Sequence, residues 1–126
     1  MFFDKSAAIA EILASAPGVP TVFTTGFASR VAASMDDRPS HFYMTGSMGL
    51  ALALGIGVAM SSGRTTIVVD GDGSLLMNPA ALLATGAAPE LPVIHIVLDD
   101  GVYASTGGQP TPGERADLAG LATASG

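Results

Sequence analysis

Apolar and polar positions follow two different periods along this chain, and together they lay out a succession of helices and strands. Ser6 to Ala14 has helical spacing, with Ala7, Ala10, Leu13 and Ala14 on one face. Ala16-Pro17-Gly18 ends that helix, Val19 to Thr24 predicts a strand, and Thr25-Gly26 is the turn at its carboxyl end. A helix is expected over Phe27 to Met35, then a polar loop from Asp36 to Ser40. A brief strand, His41 to Met44, delivers Thr45 to Gly49. Leu50 to Met60 is apolar on every side, which predicts a helix buried all round. Thr65 to Asp70 and Val93 to Leu98 are apolar runs too short for helices, each followed by an acidic, glycine-bearing turn. That pattern predicts two buried parallel strands joined by a helical crossover. Asn78 as N-cap and Pro79 at the first helical position start the crossover helix, Ala80 to Thr85, and Gly86 ends it. Beyond Tyr103 a loop is expected from Ser105 to Gly113, and Asp117 caps a last helix reaching Gly126.

The order of elements gives an α/β class, a parallel sheet with helices on both faces. With no linker and no internal repeat, residues 1–126 read as one domain, large enough to bury roughly two-thirds of its unfolded surface. The net charge of −6, with Lys5, Arg30, Arg38, Arg64 and Arg115 scattered, argues against a nucleic-acid partner. The chain has no cysteine, so neither disulfide nor thiolate chemistry is available, which fits a cytoplasmic setting. Phe2-Phe3-Asp4-Lys5 lacks the pattern of a signal peptide, and Leu50 to Met60 is too short to span a bilayer. A soluble protein is expected.

Candidate chemistry gathers in the two acidic turns. Asp72, within Gly71-Asp72-Gly73-Ser74, and Asp100, within Asp99-Asp100-Gly101, are 28 positions apart, the span of one β-α-β unit. Such strands place both side chains in the crevice at the sheet's carboxyl edge, where ligands of open α/β sheets bind. Paired oxygen ligands beside glycine turns suit Mg²⁺, which shares its coordination with substrate phosphates. Gly71 and Gly73 leave room for a phosphate, and Ser74 offers it a hydroxyl. Gly55-Ile56-Gly57 lies mid-helix and is no dinucleotide fingerprint. Instead these glycines favour close approach of another backbone, within the domain or across a subunit interface. His41 and His95 read as structural, and no set of zinc ligands exists.

Three blocks in order resemble thiamine diphosphate enzymes: Phe42-Tyr43-Met44-Thr45-Gly46-Ser47-Met48-Gly49, the paired turns at Gly71–Gly73 and Asp99–Gly101, and Ser105-Thr106-Gly107-Gly108-Gln109-Pro110-Thr111. The family's signature is Gly-Asp-Gly, then about two dozen residues, then paired asparagines. The flanks are most similar to the diphosphate-binding half of phosphonopyruvate decarboxylases and of the sulfopyruvate decarboxylase beta subunit. The resemblance implies a 2-oxo acid decarboxylase in which the cofactor carries the chemistry. It implies Asp72, Asp100 and the Val102 carbonyl as Mg²⁺ ligands, and Thr25, Gly26 and Ser74 as diphosphate contacts, beside Gly71 and Gly73. Gly46 would receive the aminopyrimidine, and Met48, next to Ser47, would wedge between the cofactor's rings. Ser105, Thr106 and Gln109 would cover the cofactor.

Two departures qualify the resemblance. Asp100 stands where the family has asparagine, placing an extra negative charge beside a diphosphate, which is expected to weaken binding. The family's activating glutamate belongs to a pyrimidine-binding domain, and Glu11, Glu90 and Glu114 lie in no matching motif. The implied enzyme is therefore active only with a pyrimidine-binding partner subunit or domain, as an oligomer. The family's further strands after the last helix also have no counterpart, so the sheet is expected to end early. These departures keep open a non-catalytic module that retains the fold. A generic nucleotide- or metal-binding protein requires all three blocks to be coincidence.

Overall fold

The computed structural model describes residues 4–126. Phe2 and Phe3, read above as part of a non-leader N-terminus, lie outside the described residues. Four parallel strands form the main sheet in the order β2-β1-β3-β4: β1 is Thr21–Phe23, β2 His41–Tyr43, β3 Thr66–Gly71 and β4 Val93–Leu98. From β1 the chain runs outward to β2, then returns across the sheet to β3 on the other side of β1. The order reverses between β1 and β3, and a crevice opens there at the strands' carboxyl ends.

Side chains alternate across the sheet and divide the core into two layers. Phe23, Ile67 and Val69 face α1 (Lys5–Ser15) and α2 (Phe27–Met35), meeting Ile9, Leu13, Ala28 and Ala32. Val22 and Val68 face the other way, onto Leu52 and Ala51 of α3 (Ala51–Ser62), Leu75 of α4 (Asp72–Met77) and Leu82 of α5 (Ala80–Gly86). Helices thus cover both faces. Each fully buried Leu or Ile in these layers contributes about 1.5–3 kcal/mol. The Asp4 carboxylate starts α1 by accepting the Ser6 and Ala7 N–H groups at 3.0 and 3.2 Å. A short hairpin, β5 (Val102–Tyr103) with β6 (Gln109–Pro110), follows β4, and α6 (Leu118–Ala124) is capped by Asp117 as expected.

Several expectations are corrected. The buried face of α1 runs through Ile9, Leu13 and partly buried Ile12, while Ala7, Ala10 and Ala14 are exposed, because the branched side chains remove more apolar area from water. The helix over 51–62 is buried on one side only: Leu50, Leu54 and Met60 are exposed. Its two glycines separate in role. A Cβ on Gly55 would stand 2.1 Å from Val68 Cγ2, so Gly55 lets the helix lie close on β3, whereas Gly57 has open space around it. Pro79 rather than Asn78 caps α5, with no side-chain cap bond. The expected loop from Ser105 to Gly113 includes β6, which pairs back onto β5.

Candidate cofactor site

A cavity of about 310 Å³ lies in the crevice, and every cofactor- or metal-binding candidate named from the sequence lines it: Thr25, Gly26, Gly46, Ser47, Met48, Gly71, Asp72, Gly73, Ser74, Asp100 and Val102. The turns after four strands supply them. Ser105 and Thr106 also line it, while Gln109 lies outside and bonds back to Thr106.

The Ser74 hydroxyl is aimed by its neighbours. Its oxygen accepts from the Thr24 hydroxyl at 3.0 Å and from the Gly49 N–H at 3.1 Å. With both lone pairs engaged, its own hydrogen remains to donate into the cavity. Ser29 bonds the Phe23 and Thr24 carbonyls at 3.0 and 2.7 Å and so fixes the end of β1. Gly26 has φ 95° and precedes α2 with no side-chain cap, and Phe27 and Ala28 of that first turn line the cavity. Uncapped N–H groups at a helix start favour an anion. Glycine is required there twice over, since a Cβ would also stand 2.3 Å from Ser105 Oγ.

A Cβ on Gly73 would stand 2.5 Å from the Tyr103 ring and 3.3 Å from Met48 Cε, so the Met48 tip and Tyr103 flank Gly73. Ser47, beside Met48, has φ 56° and is the one non-glycine with positive φ among the described residues. Such backbone costs on the order of 1 kcal/mol or more and concentrates at ligand sites.

The acidic groups have distinct environments. Asp72 is 2% exposed and is the first residue of α4 rather than part of a turn. Its Oδ2 accepts the buried Thr111 hydroxyl at 2.5 Å, and Thr111 Oγ1 in turn accepts the Gly113 N–H at 3.2 Å. The β3–β4 register pairs Gly71 with Leu98, which sets Asp99 rather than Asp100 beside Asp72. Asp99 points to the far side of the sheet end, and burial, then the Asp72 charge, push its carboxyl above the usual range. Asp100 turns into the cavity. It is no bare charge: its Oδ2 lies 2.5 Å from Lys5 Nζ, and its Oδ1 accepts the Val102 N–H at 3.3 Å. Asp70, 3% exposed, is held by His95 Nε2 and by the Gly71 N–H, each at 3.0 Å.

Sequence reasoning missed Lys5, Arg30, Thr24 and Tyr103, which line the cavity, and Thr111 as the partner of Asp72. None carries a local motif for that role, because helix packing and loop return bring them there.

The residues fit Mg²⁺ with a diphosphate. Asp72, Asp100 and the Val102 carbonyl are hard oxygen donors, and Pro110, opposite Val102 in the hairpin, has no N–H to engage that carbonyl. Ser74 and the first turn of α2 face the same space with donors.

A cavity of this kind, at the switch point of a parallel sheet, lies where open α/β proteins bind their ligands. Residues 24–124 match the family described as thiamine pyrophosphate enzyme, C-terminal TPP binding domain, and the chain belongs to that family. It is 46% identical over 123 residues to phosphonopyruvate decarboxylase of Streptomyces viridochromogenes, covering 97% of this chain and 31% of that protein. It is 39% identical over 126 residues to sulfopyruvate decarboxylase subunit beta of Methanothermobacter thermautotrophicus, covering 100% of this chain and 68% of that one. The chain thus spans about a third of the phosphonopyruvate decarboxylases. A structure described as that of a thiamin diphosphate-dependent enzyme from Mycobacterium smegmatis shares the fold, with TM-score 0.74, 24% identity and coverage of 96% of this chain and 25% of that one.

Proposed function

We propose that this chain is the thiamine diphosphate- and Mg²⁺-binding part of a 2-oxo acid decarboxylase that converts phosphonopyruvate to phosphonoacetaldehyde and CO2. The observation that carries the reading is the convergence of all the named residues on one cavity, in a chain 46% identical to a phosphonopyruvate decarboxylase. When bound, thiamine diphosphate supplies the electron sink for decarboxylation. The chain's own residues hold and shape it. Asp72, Asp100 and the Val102 carbonyl hold Mg²⁺. Ser74, Thr25, Gly26 and the first turn of α2 would hold the diphosphate, while the Gly46 carbonyl would receive the aminopyrimidine and Met48 would pack against the cofactor's rings.

No glutamate lines the cavity among the described residues. The activating carboxylate therefore comes from a pyrimidine-binding subunit or domain, and the working enzyme is an oligomer. Among the described residues no helix is long and apolar enough to cross a membrane, and a cytoplasmic setting is part of the same proposal. Coverage of 68% of a protein named as the beta subunit of sulfopyruvate decarboxylase favours sulfopyruvate as the second reading.

The test is aldehyde release from phosphonopyruvate and from sulfopyruvate, by the chain alone and with a pyrimidine-binding partner. No turnover alone and turnover of phosphonopyruvate with the partner is the expected result. Turnover by the isolated chain removes the split site, and failure with every partner moves the non-catalytic module ahead.

A further inference from the structure

We propose that Lys5 is a working part of the cofactor site: it neutralises Asp100 while no metal is held there, and serves the anion once a divalent cation takes that carboxylate. The inference rests on the proposed cofactor site. Lys5 is the first residue of α1, far in sequence from the turn after β4, yet its ammonium enters the cavity and contacts Asp100 Oδ2. The two side chains are 18% and 20% exposed, and Lys5 Nζ also stands 4.5 Å from the centre of the Phe27 ring. Exposed ion pairs contribute little. This one is mostly withdrawn from water, and it ends on a carboxylate already assigned to the metal.

Asp100 Oδ1 accepts the backbone Val102 N–H, whereas Oδ2 is held by a flexible side chain that can leave. A divalent cation bound through Oδ2 must displace the ammonium. The lysine stem has four flexible carbons and a compact charge, so displacement does not require α1 to move. The freed ammonium remains on the wall formed by Phe27 and Arg30, beside the uncapped start of α2, where a diphosphate is favoured. Metal and anion then assist each other through Lys5, reciprocally as linkage requires. The same pairing explains how the cavity accommodates an acid at the family's asparagine position: in the metal-free state Lys5 offsets the extra charge, so Asp100 alone is no reason to regard the site as dead.

The test is a variant cycle of wild type, Lys5→Met, Asp100→Asn and the double variant. Mn²⁺ binding is read by electron paramagnetic resonance, and thiamine diphosphate binding by calorimetry at saturating Mg²⁺, on the chain alone and on its assembly with a partner. Lys5→Met is expected to tighten Mn²⁺ about fivefold, the fold-change of one modest ion pair, and to weaken thiamine diphosphate about fivefold. In the Asp100→Asn background the Mn²⁺ effect disappears, and Lys5→Arg stays near wild type. If Lys5→Met leaves Mn²⁺ unchanged or weaker, or acts equally in the Asp100→Asn background, the switch is wrong although the cofactor site stands. If wild type binds neither Mn²⁺ nor thiamine diphosphate in either preparation, the cofactor reading falls as well.

Discussion

Two hollows formed by the described residues differ in character, and the larger of the pair is the poorer in chemistry. Beside β4 a hollow of about 660 Å³ is walled by Leu52, Leu75, Leu82, Leu91, Val93, Val97 and Leu118. Its two ring or carboxyl groups, His95 and Asp99, are turned toward Asp70 and Asp72. The smaller cavity, at the strand ends, is lined by backbone turns, a hydroxyl with both lone pairs engaged, an uncapped helix start and charges of both signs. Volume follows from how aliphatic side chains fill space. Function follows from where the sheet order reverses and which polar groups are fixed there.

Asp72→Ala against Leu52→Ala is the sharpest way to break that contrast. Asp72→Ala is expected to lower Mg²⁺-dependent thiamine diphosphate affinity by a hundredfold or more, measured by calorimetric titration. It also strands the buried Thr111 hydroxyl, so thermal unfolding should show a loss of about 1–3 kcal/mol, an effect that an exposed turn would not have. Leu52→Ala should cost about 2–5 kcal/mol of stability while the folded fraction binds cofactor as wild type does. A Leu52 variant with altered affinity per folded molecule would join the two hollows into one functional unit.

A pair of glycines sharpens it next. A Cβ on Gly86, in the apolar hollow, would stand 1.9 Å from the Ser125 carbonyl oxygen, and backbone yields little. Gly86→Ala should destabilise by about 1–3 kcal/mol with cofactor affinity unchanged. A Cβ on Gly73 meets the Tyr103 ring and the Met48 tip, which can move, but they move within the cofactor cavity. Gly73→Ala should therefore weaken thiamine diphosphate roughly tenfold with a smaller stability loss. Equal stability losses with no change in affinity would remove Gly73 from the site.

The contrast also explains what was legible in the sequence. Gly71-Asp72-Gly73 and Gly46-Ser47-Met48-Gly49 announce themselves because special backbone and chemistry narrow the residue types that fit. The expected helix over Phe27–Met35 and strand over Val93–Leu98 match the structure in span because a glycine turn and an apolar run are local signals, but the expected burial of the strand fails, since β4 is a sheet edge and Ile94 is exposed. Lys5 and Arg30 reach the cavity through packing of α1 on α2, and Thr111 reaches Asp72 through the return of the β5–β6 hairpin, neither of which leaves a local mark. The pairing of Asp99 with Asp72 depends on a register, and a shift of one residue would have exchanged the roles of Asp99 and Asp100. Burial all round for the helix over 51–62 failed because composition gives hydrophobicity but not which side is covered.

The smallest effect belongs to a region remote from both hollows and serves as their control. On the edge strand β2, His41 Nδ1 lies 2.9 Å from the Tyr43 hydroxyl, with the Phe23 ring against it. Burial, then the Arg38 charge, hold its imidazole below the ordinary value of 6.5, with Asp36 and Asp37 opposing. The folded state therefore prefers the neutral ring, which can accept from the Tyr43 hydroxyl, whereas the imidazolium cannot. The unfolded chain takes up the proton first as pH falls, so the contribution of His41 is complete above pH 6.5 and declines below it, toward the lower folded-state value. His41→Gln removes the titration, so the difference in melting temperature between wild type and variant should narrow on going from pH 7 to about pH 5.5, by a few degrees at most. Cofactor affinity should not differ between the two at either pH. A melting difference that stays constant would mean that His41 does not titrate in this window. A variant that changed affinity would tie this edge of the sheet to the cofactor cavity.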